Sequence, residues 1–195
     1  DMVINVGALK SGDLRVVVAI ILQVEFGAAA WGVYHYCSSD AASLYNLAEA
    51  IVAVGARPVF IDIDPATYNL DPARVSTAIS RRTRAIIPVH LYGQPCAMDR
   101  IMEIAARRKL TVIEDCCEAH GATLNGKVVG SFGAMGLFSF YAAHMVCSGE
   151  GGMVSTNDEE LAGWCRSIRS HGRRGGQLYF HFDRVGFNSK MNDLE

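Results

Sequence analysis

From residue 56 onward the chain alternates between two hydrophobic patterns. "RPVFIDID", residues 57–64, is a short apolar run with β-branched residues, bounded by Pro58 and Pro65, and predicts a strand. "NLDPARVSTAISRRT", residues 69–83, predicts a helix. Asp71 stands as its N-cap, Pro72 at its first helical position, and Val75 and Ile79 fall four apart on one face. "RAIIPVHLYG" (84–93) is a second buried strand, and "DRIMEIAARRKL" (99–110) a second amphipathic helix opened by Asp99. "TVIEDCCEAHGA" (111–122) is a third strand, ending in polar residues at Glu114 and Asp115. This order and spacing argue for βαβ units and a mainly parallel sheet. Ligands of such sheets sit off the carboxyl ends of the strands, where His90, Asp115 and Glu118 fall.

A glycine-rich, hairpin-like stretch follows ("NGKVVGSFGAMG"), then two more strands, "LFSFY" and "GGMVST". A helix is expected from Asn157, with Glu160 completing a capping box, and it carries "EELAGWCRSIRSHG" to near Gly172. The closing "RVGFNSKMNDLE" has the look of a first turn of another helix. Before residue 50 the pattern is weaker. "GAAAWGVYHYCSSDAASLYNLAEAI" admits a short strand, a Ser-rich turn and a helix.

Composition narrows the classes. A chain of 195 residues, half of them apolar, holds one domain with a sizeable core. A net charge of -2 supplies no basic field, so neither nucleic acid nor an anionic membrane is an expected partner. The longest apolar run, Val16 to Leu22, is too short to cross a bilayer, and the opening "DMVINVGALK" lacks a signal-peptide pattern. The six cysteines form no CxxC pair, and Cys116–Cys117 is not a metal-finger spacing. Reduced thiols in a cytoplasmic protein are the expectation. His90, His120, His144 and His171 show no ligand spacing, so no metal is expected.

One constellation carries chemistry. Asp115, inside an apolar run, is costly to bury unless it meets a cation, such as a protonated ring nitrogen. Ser139 ends a later strand, and Gly149, Gly151 and Gly152 let backbone approach a ligand closely. His144 lies between them. Taken singly, each has a structural explanation: a capping aspartate, a turn, a core histidine. The joint pattern is what points to a site.

The same stretches, "RAIIPVHLYGQP", "VIEDCCEAHGA", "GSFGAMGLFSFY", "GEGGMVSTNDEELA" and "DRVGFNSKMNDLE", together resemble the DegT/DnrJ/StrS-type nucleotide-sugar aminotransferases, from about residue 47 to the end. The resemblance implies an α/β three-layer sandwich with a mainly parallel sheet, like the large domain of aspartate-aminotransferase-type pyridoxal-phosphate enzymes. It implies a divergent segment over residues 1–50 and a cofactor-binding large domain over 51–195, incomplete because the small C-terminal domain is absent. Asp115 is similar to the aspartate that pairs with the pyridine nitrogen, Glu118 to the residue beside the ring hydroxyl, and Ser139 to a phosphate-binding serine. Asn188 resembles an asparagine that reaches the neighbouring subunit's cofactor, which implies a homodimer. "CSSDAASL" resembles the family's phosphate loop and places Ser39 among the cofactor residues, although Asp40 stands where the family has glycine and Ala41 where it has threonine. A carboxylate there repels a phosphate. The strand and ring-stacking aromatic that usually follow this loop are not found between Leu44 and Ala48.

The family's Schiff-base lysine falls on position 144, where this chain has His144. That change is similar to the branch of 3-dehydratases acting on nucleotide-linked 4-keto-6-deoxyhexoses. The resemblance to them implies noncovalent pyridoxal 5'-phosphate or pyridoxamine 5'-phosphate, and a histidine that moves the proton at the cofactor's 4′ carbon. The expected function is therefore a dehydratase-like enzyme acting on a nucleotide-linked keto sugar, with His144 as its catalytic residue. The alternative is an inactive homologue or fragment that binds cofactor alone or pairs with an intact paralogue.

Overall fold

The computed structural model describes residues 2–5, 52, 56–149, 151–173 and 181–189. Their elements are β1 (Met2–Asn5), β2 (Pro58–Ile61), α1 (Pro72–Ala78), β3 (Ala85–Ile87), α2 (Met98–Arg108), β4 (Thr111–Asp115), β5 (Thr123–Leu124), β6 (Lys127–Val128), β7 (Met135–Ser139), β8 (Gly152–Ser155) and α3 (Glu159–Arg169). Six strands make one sheet in the order β2-β1-β3-β4-β7-β8. The first five run parallel and β8 joins antiparallel. The fold is α/β with a mainly parallel sheet.

Registers divide the sheet into two faces. Ile86 pairs with Val112, and Glu114 with Gly136, so these residues share one side. On that side Ile86 and Val112 pack with Val75 of α1 and with Met98, Ile101 and Ala105 of α2, the core cluster the helical spacing predicts. Asp115 pairs with Leu137 on the other side, together with Ile87 and Ile113. Ile87, Ile113, Met135 and Leu137 are as fully buried as the first set. A parallel sheet covered on both faces explains why its strands are continuous apolar runs rather than alternating ones.

The caps agree with the sequence pattern in one helix and differ in two. Asp71 caps α1 by accepting from Ala73 N–H at 2.8 Å, with Pro72 next. Helix α2 starts at Met98, one residue before Asp99, and its cap residue Ala97 contributes no side-chain bond. Asp99 instead accepts from Asn125 Nδ2 at 3.2 Å, tying the helix to the β5–β6 hairpin. The cap of α3 is Asp158, not Asn157. Its carboxylate accepts from the N–H groups of Glu160 and Leu161 at 2.8 and 3.1 Å, which a charged group does better than an amide.

The largest departure is β1. Met2–Asn5 lies between β2 and β3 and pairs with both. Four residues carry too little pattern to be recognised without their partners. The stretch between Leu44 and Ala48, where no strand is found in the sequence, lies outside the described residues.

Candidate active site

Asp115 closes β4 with 2% of its surface exposed. Its carboxylate accepts one backbone bond, from Cys117 N–H at 3.0 Å. Burial pushes its carboxyl above the usual range, against the pull of Cys117 and of the nearby His90 and His144 imidazoles. This is an acid short of a cation. Ser139 ends β7, two residues beyond the register partner of Asp115 and on the same face. Its Oγ accepts from Tyr141 N–H at 3.2 Å, which leaves the hydroxyl proton free to be donated elsewhere.

His144 sits in the loop that joins β7 to β8. That loop is closed on itself by Ser148 N–H to Phe140 O at 3.0 Å and Phe140 N–H to Gly151 O at 2.9 Å. Gly149 and Gly151 have φ values of 93° and 122°, which side chains disfavour, so the glycines are what let the loop close. Within it, His144 N–H donates to Tyr141 O at 2.9 Å, and the Tyr141 ring meets the imidazole edge-on with centroids 6.0 Å apart. The Nε2 atom of His144 is buried and bonded to no protein group. A buried polar atom in that state calls for a missing partner.

Glu118 follows in the loop after β4, and its Oε2 accepts from Tyr92 N–H at 3.2 Å. Asp115, Glu118, Ser139 and His144 thus lie at or just beyond the carboxyl ends of β4 and β7. Asn188 does not join them within this chain. It is exposed and bridges to Ser170 beyond α3. Ser39 and Asp40 lie outside the described residues.

His90 and Glu114 belong to the opposite face. Cys96 N–H donates to His90 Nδ1 at 2.9 Å, so that nitrogen carries no proton and Nε2–H faces Glu114 Oε2 at 3.2 Å. Glu114 Oε2 also accepts from Gly130 N–H at 2.8 Å, while Oε1 accepts from Phe132 and Gly133 at 2.7 Å each. Burial works against the charged form of Glu114, but these donors hold its carboxyl below the usual range. Cys116 joins the pair in a group of metal-ligand types. Every nitrogen and oxygen in that group is already engaged, and burial raises the Cys116 thiol. Its role is to pin the 130–133 loop to β4.

Sequence reasoning did not find Tyr92, Tyr141 or this division of labour between Glu114 and Asp115. The period-two alternation of a strand was the available signal for the last of these.

Pyridoxal phosphate fits this edge. The buried Asp115 carboxylate, whose pKa burial raises, suits a protonated pyridine nitrogen, and the Ser139 hydroxyl with its glycine-rich neighbour suits a phosphate.

Residues 41–195 match the DegT/DnrJ/EryC1/StrS aminotransferase family, and the chain belongs to that family. It is 47% identical over 148 residues to GDP-perosamine synthase of Caulobacter vibrioides, covering 76% of this chain and 40% of that protein. To the UDP-N-acetyl-3-dehydro-alpha-D-glucosamine 3-aminotransferase of Acidithiobacillus ferrooxidans it is 48% identical over 149 residues, with 76% and 40% covered. Among solved structures it is similar to an aminotransferase from Psychrobacter cryohalolentis (TM-score 0.77, 32% identity, 95% of this chain and 48% of that one). It is also similar to a histidine mutant of GDP-4-keto-6-deoxymannose-3-dehydratase with bound GDP-perosamine (TM-score 0.70, 33% identity, 76% and 42% covered). A third likeness is to NtdA of Bacillus subtilis with bound pyridoxamine phosphate (TM-score 0.74, 30% identity, 95% and 41% covered). The chain spans less than half the length of each of these proteins.

Proposed function

We propose that this chain carries the cofactor site of a pyridoxal- or pyridoxamine-phosphate enzyme acting on a nucleotide-linked keto sugar, with His144 as the group that holds and moves a proton. The observation that carries the reading is the His144 Nε2 atom, buried and unpartnered beside the ring site of Asp115. When bound, the cofactor supplies an electron sink. Asp115 would keep the proton on the ring nitrogen, Glu118 would sit beside the ring hydroxyl, and Ser139 would donate to the phosphate. His144, in place of a lysine, cannot hold the cofactor as a lasting covalent adduct but can exchange a proton near neutral pH. The relatives' names supply the substrate class, and the dehydratase among the solved structures supports the elimination of a sugar hydroxyl as the reaction. Asn188, exposed and away from its own chain's site, is read as reaching the site of a second copy in a homodimer.

Titration with pyridoxamine phosphate and pyridoxal phosphate tests the proposal. Both should bind reversibly, desalting should remove them, and borohydride should trap nothing. A borohydride-stable adduct on any lysine of the chain refutes the noncovalent reading. His144→Lys together with Asp40→Gly should gain such an adduct.

A further inference from the structure

The Leu91–Gly93 turn after β3 is closed by Gln94 N–H donating to Leu91 O at 2.9 Å, and its two central residues have positive φ: Tyr92 at 53° and Gly93 at 78°. This is a type I′ turn, which favours Asn-Gly or Asp-Gly. The chain uses that favoured pair at Asn125–Gly126, with nearly the same angles of 52° and 79°, to join β5 to β6. At position 92 a bulky aromatic occupies the left-handed region instead, at a conformational cost.

Burial of the ring does not offset that cost, for Tyr92 is 79% exposed while its neighbours His90 and Leu91 are buried. The surroundings hold the turn rigidly. Asn69, itself buried, accepts from Leu91 N–H at 2.9 Å and donates to Gln94 O at 2.8 Å. His90 N–H donates to Asp115 O at 2.9 Å, and Tyr92 N–H donates to Glu118 at 3.2 Å. A strained residue that persists because its surroundings fix it marks a functional position. Here the fixed feature is an exposed ring at the rim of the same sheet edge whose floor is Asp115.

From this geometry we infer that Tyr92 is a stacking platform for the nucleobase of the ligand. The inference rests on the proposed nucleotide-sugar reading. With its inner end against Asp115, such a ligand would extend its outer part toward the loops joined by the hydrogen bond between Tyr92 and Glu118. The outer part of a nucleotide-linked sugar is a flat, uncharged base, the shape that an exposed phenol ring recognises irrespective of sequence or sugar.

Calorimetric binding of GDP tests it, with inorganic pyrophosphate as the base-free probe. Tyr92→Asn installs the residue that the chain itself uses in the matching turn, so the backbone is kept and the ring removed. GDP binding should weaken roughly ten- to a hundredfold, as expected for one lost base–aromatic stack. Pyrophosphate binding should not change, Tyr92→Phe should bind GDP like the unaltered chain, and Tm should hold or rise in Tyr92→Asn. Equal GDP affinity in Tyr92→Asn and the unaltered chain overturns the inference while leaving the nucleotide-sugar reading standing. Should Tyr92→Asn instead change the oligomeric state at unchanged GDP affinity, the ring belongs to an interface between copies and the inference is also overturned. Failure of the unaltered chain to bind GDP at all removes the nucleotide reading, and the inference with it.

Discussion

Glu114 and Asp115 are consecutive, both buried and both at the end of β4, yet they face opposite sides of the sheet under opposite constraints. Glu114 has its two oxygens shared among four donors, and its carboxyl is held low. Among the described residues Asp115 has donors from Cys117 alone, its N–H and its thiol, and burial raises it. A fully satisfied buried carboxylate is part of the framework, because nothing remains for a ligand to add. An under-satisfied one leaves room for a further partner, which is the proposed reading of Asp115. The difference separates structure from function more sharply than burial does.

The comparison breaks most visibly at Glu114. Glu114→Gln puts an amide NH2 where N–H groups already point inward, so donors face donors around a buried site. We expect a loss of about 3–5 kcal/mol in unfolding free energy, the scale for removing one partner of a buried charged network. Urea denaturation measures it. A change within experimental error would mean that the 130–133 loop holds its place without this carboxylate.

Asp115→Asn should do the reverse. The isosteric amide removes a buried charge short of partners, so the ligand-free fold should be retained. Pyridoxamine-phosphate affinity should fall about ten- to a hundredfold, in line with the 1.5–3 kcal/mol of a charge-assisted hydrogen bond. Equal affinity in the two proteins would show that the ring nitrogen does not meet this residue.

How much of this was legible beforehand follows from where the information lay. The β2–α1–β3–α2–β4 run was readable because each element carries its own period and α1 its own Asp71–Pro72 start signal. Strand β1 was not, because four residues gain their identity from pairing with β2 and β3 rather than from their own pattern. Asp115, Ser139 and His144 were proposed from their joint pattern along the chain, and Glu118 from the family resemblance. The partition of Glu114 from Asp115 needed the sheet's two faces, and Tyr92 needed a backbone angle that Tyr-Gly in a sequence does not announce. What a residue type implies locally was readable; what a side chain lacks was not.

A third way to sharpen the comparison is acid titration of stability. The Glu114 carboxyl is lower in the folded protein than in the unfolded chain, where it is about 4.3. Its contribution is therefore complete above that value and lost as the pH falls through the folded value. The unaltered protein should lose urea resistance on that side, and Glu114→Gln should show less of this loss. Matching acid limbs in the two proteins would mean that Glu114 ionises no differently when folded.

The smallest effect is the opposite slope from Asp115. Its carboxyl is raised in the folded protein, whereas the unfolded chain ionises near about 3.9. As the pH rises above that value the unfolded chain gives up a proton that the folded protein still holds. The folded state then binds more protons, so stability falls with rising pH until the folded value is passed, and stays constant beyond. One group can contribute a slope of at most about 1.4 kcal/mol per pH unit, and neighbouring carboxylates overlie it. The difference between the unaltered protein and Asp115→Asn isolates it: the variant should lose this decline and become the more stable of the two as the pH rises. Saturating pyridoxamine phosphate should flatten the decline in the unaltered protein as well, since a protonated ring nitrogen favours the charged carboxylate. Parallel stability curves without ligand would mean that Asp115 is solvated well enough to ionise normally. The contrast with Glu114 would then rest on hydrogen-bond count alone.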